Sequence, residues 1–113
     1  MTARLKSGIW VRAHIRRCQV AGVPAFVVAM GDESAGAILI KVNRLGDGCE
    51  VFVARTGFDG EREWLAATGP EPVAETQADD YIARQRKFDS DLWVIEIEDQ
   101  AGRHFLDEPV SQI

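Results

Sequence analysis

The sequence predicts an α+β protein: an antiparallel sheet of four to six strands packed with two helices, in the order α-β-β-β-β-α-β-β. Three observations carry this prediction. Apolar residues recur with helical spacing in two stretches, Ser7–Ala21 and Thr76–Phe88. Between and after them lie short runs rich in Val, Ile and aromatic residues, several with a two-residue alternation. The connectors are short and rich in Gly and Asp, as turns between strands are.

In Ser7–Ala21, Trp10, Val11, His14, Ile15, Cys18 and Ala21 fall on one side of a helical wheel, and Arg12, Arg16 and Gln19 on the other. Ser7 reads as the N-cap, and Gly22 with Pro24 beyond it as the stop. Ala25–Met30 is apolar at nearly every position, the pattern of a central strand buried on both faces. In Ala37–Asn43, Ile38, Ile40 and Val42 share one face, with Lys41 and Asn43 on the other. Cys49–Arg55 sets Val51 and Val53 opposite Glu50 and Phe52. Gly31–Gly36 and Arg44–Gly48 read as hairpin turns, which makes these three strands an antiparallel meander.

Glu63–Thr68 reads as a fourth strand, broken by Gly69-Pro70-Glu71-Pro72. The second helix presents Ala78, Tyr81, Ile82 and Gln85 inward. Thr76 followed by Asp79 resembles a capping box, and Arg84, Arg86 and Lys87 suit the negative end of the helix dipole. Leu92–Glu98 is a strand with Trp93, Ile95 and Ile97 on one face. Asp99-Gln100-Ala101-Gly102 suits a type I turn, after which His104–Leu106 returns as a short strand. One domain is expected over residues 5–108, with residues 109–113 as a frayed tail.

The 113 residues, 46% hydrophobic and 27% charged, have the size and composition of one globular domain. No apolar run is long enough to span a bilayer, and Arg12, Arg16 and Arg17 interrupt any secretory core, so a cytoplasmic protein is expected. Cys18 and Cys49 then read as reduced thiols. The net charge of −5 is uneven. Arg4, Lys6, Arg12, Arg16 and Arg17 fall in the first 31 residues, which hold no acid; the remaining eight basic and eighteen acidic residues give −10. The body therefore repels nucleic acid and acidic membranes. The face of Arg12, Arg16 and Arg17 either docks on that acidic body or offers an anion or partner site. No aromatic residue is interleaved there to stack bases, which disfavours nucleic acid as the partner.

Two constellations have the residue types for chemistry. His14 and Cys18, four apart on one helix, can meet, and an imidazole can activate a thiol; both sit in the apolar stripe, where a core role is the plainer reading. Glu96, Glu98, Asp99 and His104 gather around the last turn, and two carboxylates with an imidazole can act as acid and base. The plain reading there is a solvated sheet face with Arg103 pairing Asp99 or Glu98. Gly31–Gly36 is neither a nucleophile elbow, since Asp32 stands where the motif needs Gly, nor a phosphate cradle, since Asp32 and Glu33 repel anions. No metal site and no cofactor is expected.

The stretch Phe88-Asp-Ser-Asp-Leu-Trp-Val-Ile-Glu-Ile-Glu-Asp-Gln-Ala-Gly-Arg-His-Phe-Leu106 resembles the signature of a small bacterial family, domain of unknown function 1491. Trp10–Cys18, Gly31-Asp32, Ala35-Gly36 and Ile38–Asn43 agree with it in kind, and the resemblance is weakest between Gly46 and Pro72. It implies a whole-chain domain in a bacterial cytosol and no known activity, cofactor or catalytic residue. The resemblance does not choose among functions. With no recognised catalytic or metal motif, and with Trp10, Trp64, Trp93 and a basic helix face available, the reading is a non-enzymatic protein-interaction module whose partner is another protein or a second copy of itself. The alternatives are a small enzyme or ligand-binding protein built on Glu96, Glu98, Asp99 and His104, and an anion binder using Arg12, Arg16 and Arg17.

Overall fold

The computed structural model describes residues 5–112. The first helix, α1 (Ser7–Val20), is closed at its C-terminus by a Schellman motif. Gly22 takes φ +79°, its N–H donates to the Gln19 carbonyl, and the Val23 N–H reaches back to the Cys18 carbonyl. At the other end Lys6, not Ser7, is the capping residue and gives no side-chain cap. The helix start is satisfied from outside instead. Ser7 and Gly8 donate their N–H groups to the Ser34 and Glu33 carbonyls, and Ser7 Oγ donates to the Gly36 carbonyl at 2.6 Å.

Among the described residues six strands follow in chain order with one helix among them. They are β1 (Ala25–Ala29), β2 (Ile38–Asn43), β3 (Cys49–Thr56), β4 (Arg62–Ala66), α2 (Glu75–Phe88), β5 (Trp93–Glu98) and β6 (Val110–Gln112). The element order matches the sequence expectation, but the sheet is mixed rather than antiparallel. Its order is β1-β5-β2-β3-β4-β6. The β2–β5 and β4–β6 pairs are parallel; the other neighbours are antiparallel. The cause is the α2 crossover. After the β2-β3-β4 meander the chain passes through α2 and enters the sheet again beside β2, and a strand that arrives by a crossover runs parallel to its new neighbour.

Four local expectations change with this topology. β1 and β2 are not hairpin partners, because β5 lies between them. The Gly31–Gly36 segment is accordingly a wrap that caps α1, organised by Asp32 Oδ2 accepting the Ser34 and Ala35 N–H groups. β1, expected at the centre, is an edge strand. His104–Leu106 is irregular, and residues 110–112, within the segment expected to fray, pair with β4 as β6.

The alternating strand faces are as the sequence indicates, and each receives its own helix. Ile38, Ile40, Val42, Phe52, Trp64, Trp93, Ile95 and Ile97 face α1 with Val11 and Cys18. Leu39, Cys49, Val51 and Val94 face α2 with Ala78 and Ile82. Sheet pairing puts Lys41 and Glu96 on the α2 side, opposite each other. The crossing loop is pinned to the start of β5. The Trp93 indole N–H donates to the Asp32 carbonyl at 2.7 Å, and Asp32 N–H to the Asp91 carbonyl at 3.0 Å.

A methyl group at Gly31 or Gly36 would collide with the Asp91 carbonyl oxygen, whereas Gly46 has open space around it and only a positive φ to satisfy. Gly31→Ala and Gly36→Ala should each cost ~2–3 kcal/mol through overpacking against backbone, and Gly46→Ala ~1 kcal/mol. Denaturant unfolding of the three variants checks the order; equal losses at all three would mean the wrap is loosely packed.

Candidate functional site

The most concentrated polar cluster among the described residues lies where α2 begins over the sheet. Lys41, mid-strand in β2, has a side chain only 5% exposed. Its ammonium donates to Glu75 Oε2 at 2.7 Å and Asp79 Oδ1 at 2.8 Å, and lies 3.4 Å from Glu96 Oε1. Asn43 Nδ2 donates to Glu75 Oε2 and Glu96 Oε2 at 3.2 and 3.3 Å. Glu75 and Asp79 meet the same amine because they are four apart on one helix face. Asp79 is thus committed to Lys41 rather than to a capping box, and Ala74 caps α2 without a side-chain bond.

Burial alone would lower the Lys41 pKa, but hydrogen bonds to Asp79 and Glu75 and the charge of Glu96 overturn that and hold it above the ordinary lysine value. Three carboxylates around the amine favour its protonated form, which has no lone pair for attack on a carbonyl or for proton abstraction. The cluster therefore works as a clamp that fixes α2 to the sheet. Sequence reasoning passed over Lys41 as a polar strand face. Its signal was a single lysine inside an aliphatic strand, answered by two acids at i and i+4 in the next helix.

The carboxylates and imidazole of the C-terminal turn do not converge. Glu96 is held by the Lys41 clamp, on the α2 side. Glu98 lies on the same face one step further along β5, opposite Asn43. Asp99 accepts the Arg103 N–H at 2.8 Å and the Arg103 guanidinium at 2.8 and 3.2 Å, and that guanidinium holds its carboxyl below the usual range. His104 is on the opposite side of the sheet, edge-on to Phe52, with Nδ1 accepting the Leu106 N–H.

His14 and Cys18 are both buried in the α1 layer. His14 Nε2–H donates to the His104 carbonyl at 2.9 Å, and the ring stacks on Trp10. Burial pushes the Cys18 thiol pKa up, so it is not an activated nucleophile. Cys49 lies in the other layer, across the sheet. Of the basic face, Arg12 pairs with Glu33, and Arg17 donates to the Phe105 carbonyl and to Asp107 at 2.9 and 2.8 Å. Arg16 is exposed. A cleft of about 330 Å³ opens beside the start of α1, between Lys6 and Arg55, but the helix amides nearest it are already taken by the Ser34 and Glu33 carbonyls.

The edge strand β1 carries a group of exposed apolar side chains. In β1, Phe26, Val27 and Val28 are 43%, 37% and 51% exposed, and Met30 just beyond is 74% exposed. The Glu98 N–H donates to the Pro24 carbonyl, so antiparallel alternation turns the Phe26 backbone groups towards β5 and those of Ala25 and Val27 outward. The ladder slips after Val27 at a bulge that takes in Val28. Uniform hydrophobicity was legible here; that it marks an open edge and not a central strand was not, because both require the same residue types.

These features define a class: an α+β protein with a mixed six-stranded sheet and a helix on each face. The chain belongs to the family described as protein of unknown function DUF1491, whose profile matches residues 5–107. It is similar to a DUF1491 family protein from Caulobacter crescentus CB15, known as a 1.87 Å crystal structure. That protein is 43% identical, with a TM-score of 0.86 over 96% of this chain and all of that one. The NMR structure of a DUF1491 family protein from the same organism, also 43% identical, gives a TM-score of 0.81 over 97% and 99% of the two chains. The solution structure of protein Atu0922 from A. tumefaciens, 33% identical, gives 0.73 over 85% and 86%. No curated protein matches. Among the described residues no helix is long and apolar enough to cross a membrane.

The buried polar groups can be tested in two ways. Lys41→Met should destabilise the fold by ~2–3 kcal/mol, because it strands the half-buried Glu96 without its cation. Asp79→Asn, which leaves the amine two acids, should cost under ~1 kcal/mol. Urea unfolding of both variants checks the difference, and equal small losses would show that Lys41 is no clamp. The second test concerns pH. Burial lowers the pKa of both His14 and His104 below the ordinary histidine value. The unfolded chain then takes up protons before the folded one, so their contribution is full above the unfolded value of ~6.5 and is lost as pH falls through the lowered folded values. The melting temperature should fall between about pH 7.5 and 5.5. The double variant His14→Gln, His104→Asn, whose amides can replace the donor and the acceptor, should flatten that slope. An unchanged slope would place its origin elsewhere.

Proposed function

We propose that the protein is a non-enzymatic interaction module that binds another polypeptide as an added strand along β1. The observation that carries this reading is the open β1 edge, where exposed apolar side chains stand beside outward-turned backbone donors and acceptors. Strand addition uses those two things together: main-chain hydrogen bonds supply affinity, and side chains on alternate positions supply selectivity. The occupant that fits is an uncharged extended segment, since no residue from Val20 to Gly31 carries a charge. The rest of the molecule supports a binding role over a chemical one. The Lys41 amine is clamped between carboxylates, both thiols are buried, and Glu96 and Asp99 are held by different partners. Two free buried cysteines on opposite sides of the sheet fit a cytoplasmic setting.

The test compares the wild-type protein with the double variant Phe26→Lys, Val28→Lys. Both positions are exposed, so melting should change little. Native mass spectrometry of purified protein and affinity capture from cell extract should find a polypeptide, self or foreign, held by the wild type and released by the variant. If every species the wild type holds is held equally by the variant, or if the wild type holds none, the reading fails.

A further inference from the structure

The geometry points to a second copy of this chain as the occupant of β1, paired antiparallel across a two-fold axis through Phe26. This inference rests on the strand-addition reading above and specifies its partner.

The open hydrogen-bonding unit is short and reads the same in both directions. Upstream, the Val23 N–H is consumed by the Schellman motif at the end of α1. Downstream, the bulge after Val27 breaks the alternation. Between these limits Ala25 and Val27 turn their N–H and C=O groups outward, with Phe26 between them. If Phe26 lies opposite Phe26 of the second copy, each Ala25 stands opposite a Val27. Antiparallel partners in such positions exchange N–H and C=O bonds, so every outward group of the unit is satisfied, and no other symmetric register about this strand does that with Ala25 and Val27 alone. Both sheets then join into one, with the two α2 helices on the same side.

Charge favours the same arrangement. A protein of net charge −5 repels its own copy wherever acids are exposed, and the stretch from Val20 to Gly31 has none. Flanking charges lie at opposite ends of β1. Arg86 and Lys87, with the single acid Asp89 beside them, line a cleft with Ala29 and Met30 at its C-terminal end and leave that end net positive. Glu98, bonded to Pro24, lies at its N-terminal end on the same α2 side. Antiparallel pairing brings the Arg86–Lys87 end of each copy alongside the Glu98 end of the other. A parallel partner strand would set like charges together, and a foreign acidic segment would forgo the match with Glu98.

Sedimentation velocity over about a hundred-fold dilution should show a dimer that dissociates at the low end. Phe26→Cys should form an intermolecular disulfide under air oxidation. Opposed residues of a pair without mutual hydrogen bonds have Cα atoms ~4.5 Å apart, within disulfide reach. Val28→Cys, in the bulge, should not, and the native thiols are buried. Phe26→Lys should raise the dimer dissociation constant at least tenfold. Should that variant fail to fold, amide exchange on the wild type gives the same answer: the Ala25 and Val27 amides should be protected when concentrated and exchange on dilution. A wild type that is monomeric at every concentration overturns the inference. If β1 still captures a foreign polypeptide, the interaction reading stands without it. A dimer that persists in Phe26→Lys, with no crosslink formed by Phe26→Cys, also overturns it, by placing self-association on another surface.

Discussion

The insertion of β5 between β1 and β2 is the constraint on which the rest of the structure depends. β5 is the strand paired to both sides of the early chain: antiparallel to β1 and parallel to β2. Its side chains are the spine of both layers, with Trp93, Ile95 and Ile97 under α1 and Val94 under α2. Because β5 reaches this slot through α2, the helix lies across the face opposite α1, and a parallel pair appears at the centre. Because β5 occupies the only inner side that β1 has, β1 is left at the edge. The same strand divides the polar residues near its end, sending Glu96 to the α2 face while the turn beyond carries His104 to the α1 face.

What the sequence made legible is what depends on local spacing. The C-terminal end of α1, the second helix, the faces of β2, β3 and β5, and the Asp99–Gly102 turn, closed by the Gly102 N–H on the Asp99 carbonyl at 2.9 Å, all follow from residues close in the chain. Strand order does not. Gly and Asp in the Gly31–Gly36 connector are equally suited to a hairpin and to a wrap that caps a helix, and which one forms depends on whether a later strand claims the slot. The candidate sites divided in the same way. The Arg103–Asp99 pair and the core positions of His14 and Cys18 are local matters, readable from spacing. The Lys41 clamp joins residues up to 55 apart, from Lys41 to Glu96, and nothing in the spacing of either strand announces that they are neighbours.

The clamp also shows how a charge is kept inside the sheet without being available for chemistry. An isolated ammonium there would shed its proton to escape the desolvation cost. Two acids at the open rim of α2 and one from the adjacent strand remove that incentive, and the Asn43 amide ties Glu75 to the second oxygen of Glu96. Such a group contributes position more than net stability, since a buried ion pair roughly offsets its own desolvation. Position matters here: a helix that covers a sheet mainly through Ala78, Ile82 and the partly buried Tyr81 has a small apolar footprint, and Lys41 fixes its start over β2.

The two ends of the sheet are treated differently, and the contrast bears on why β1 is open. β6 is three residues long, ends in Ser111 and Gln112, and offers little to an incoming strand. β1 is longer, apolar and uncharged, which in a protein with 27% charged residues is the composition that ordinarily invites uncontrolled edge pairing. Yet the exposure is bounded. The Val23 amide is spent on the helix cap at one end, and the bulge interrupts the ladder at the other, so the open unit is confined to Ala25–Val27. An unbounded edge permits any register and leads to aggregation; an edge closed at both ends admits one register and then stops. The same two devices that keep β1 from templating indefinite pairing are what make a single, symmetric pairing about Phe26 possible.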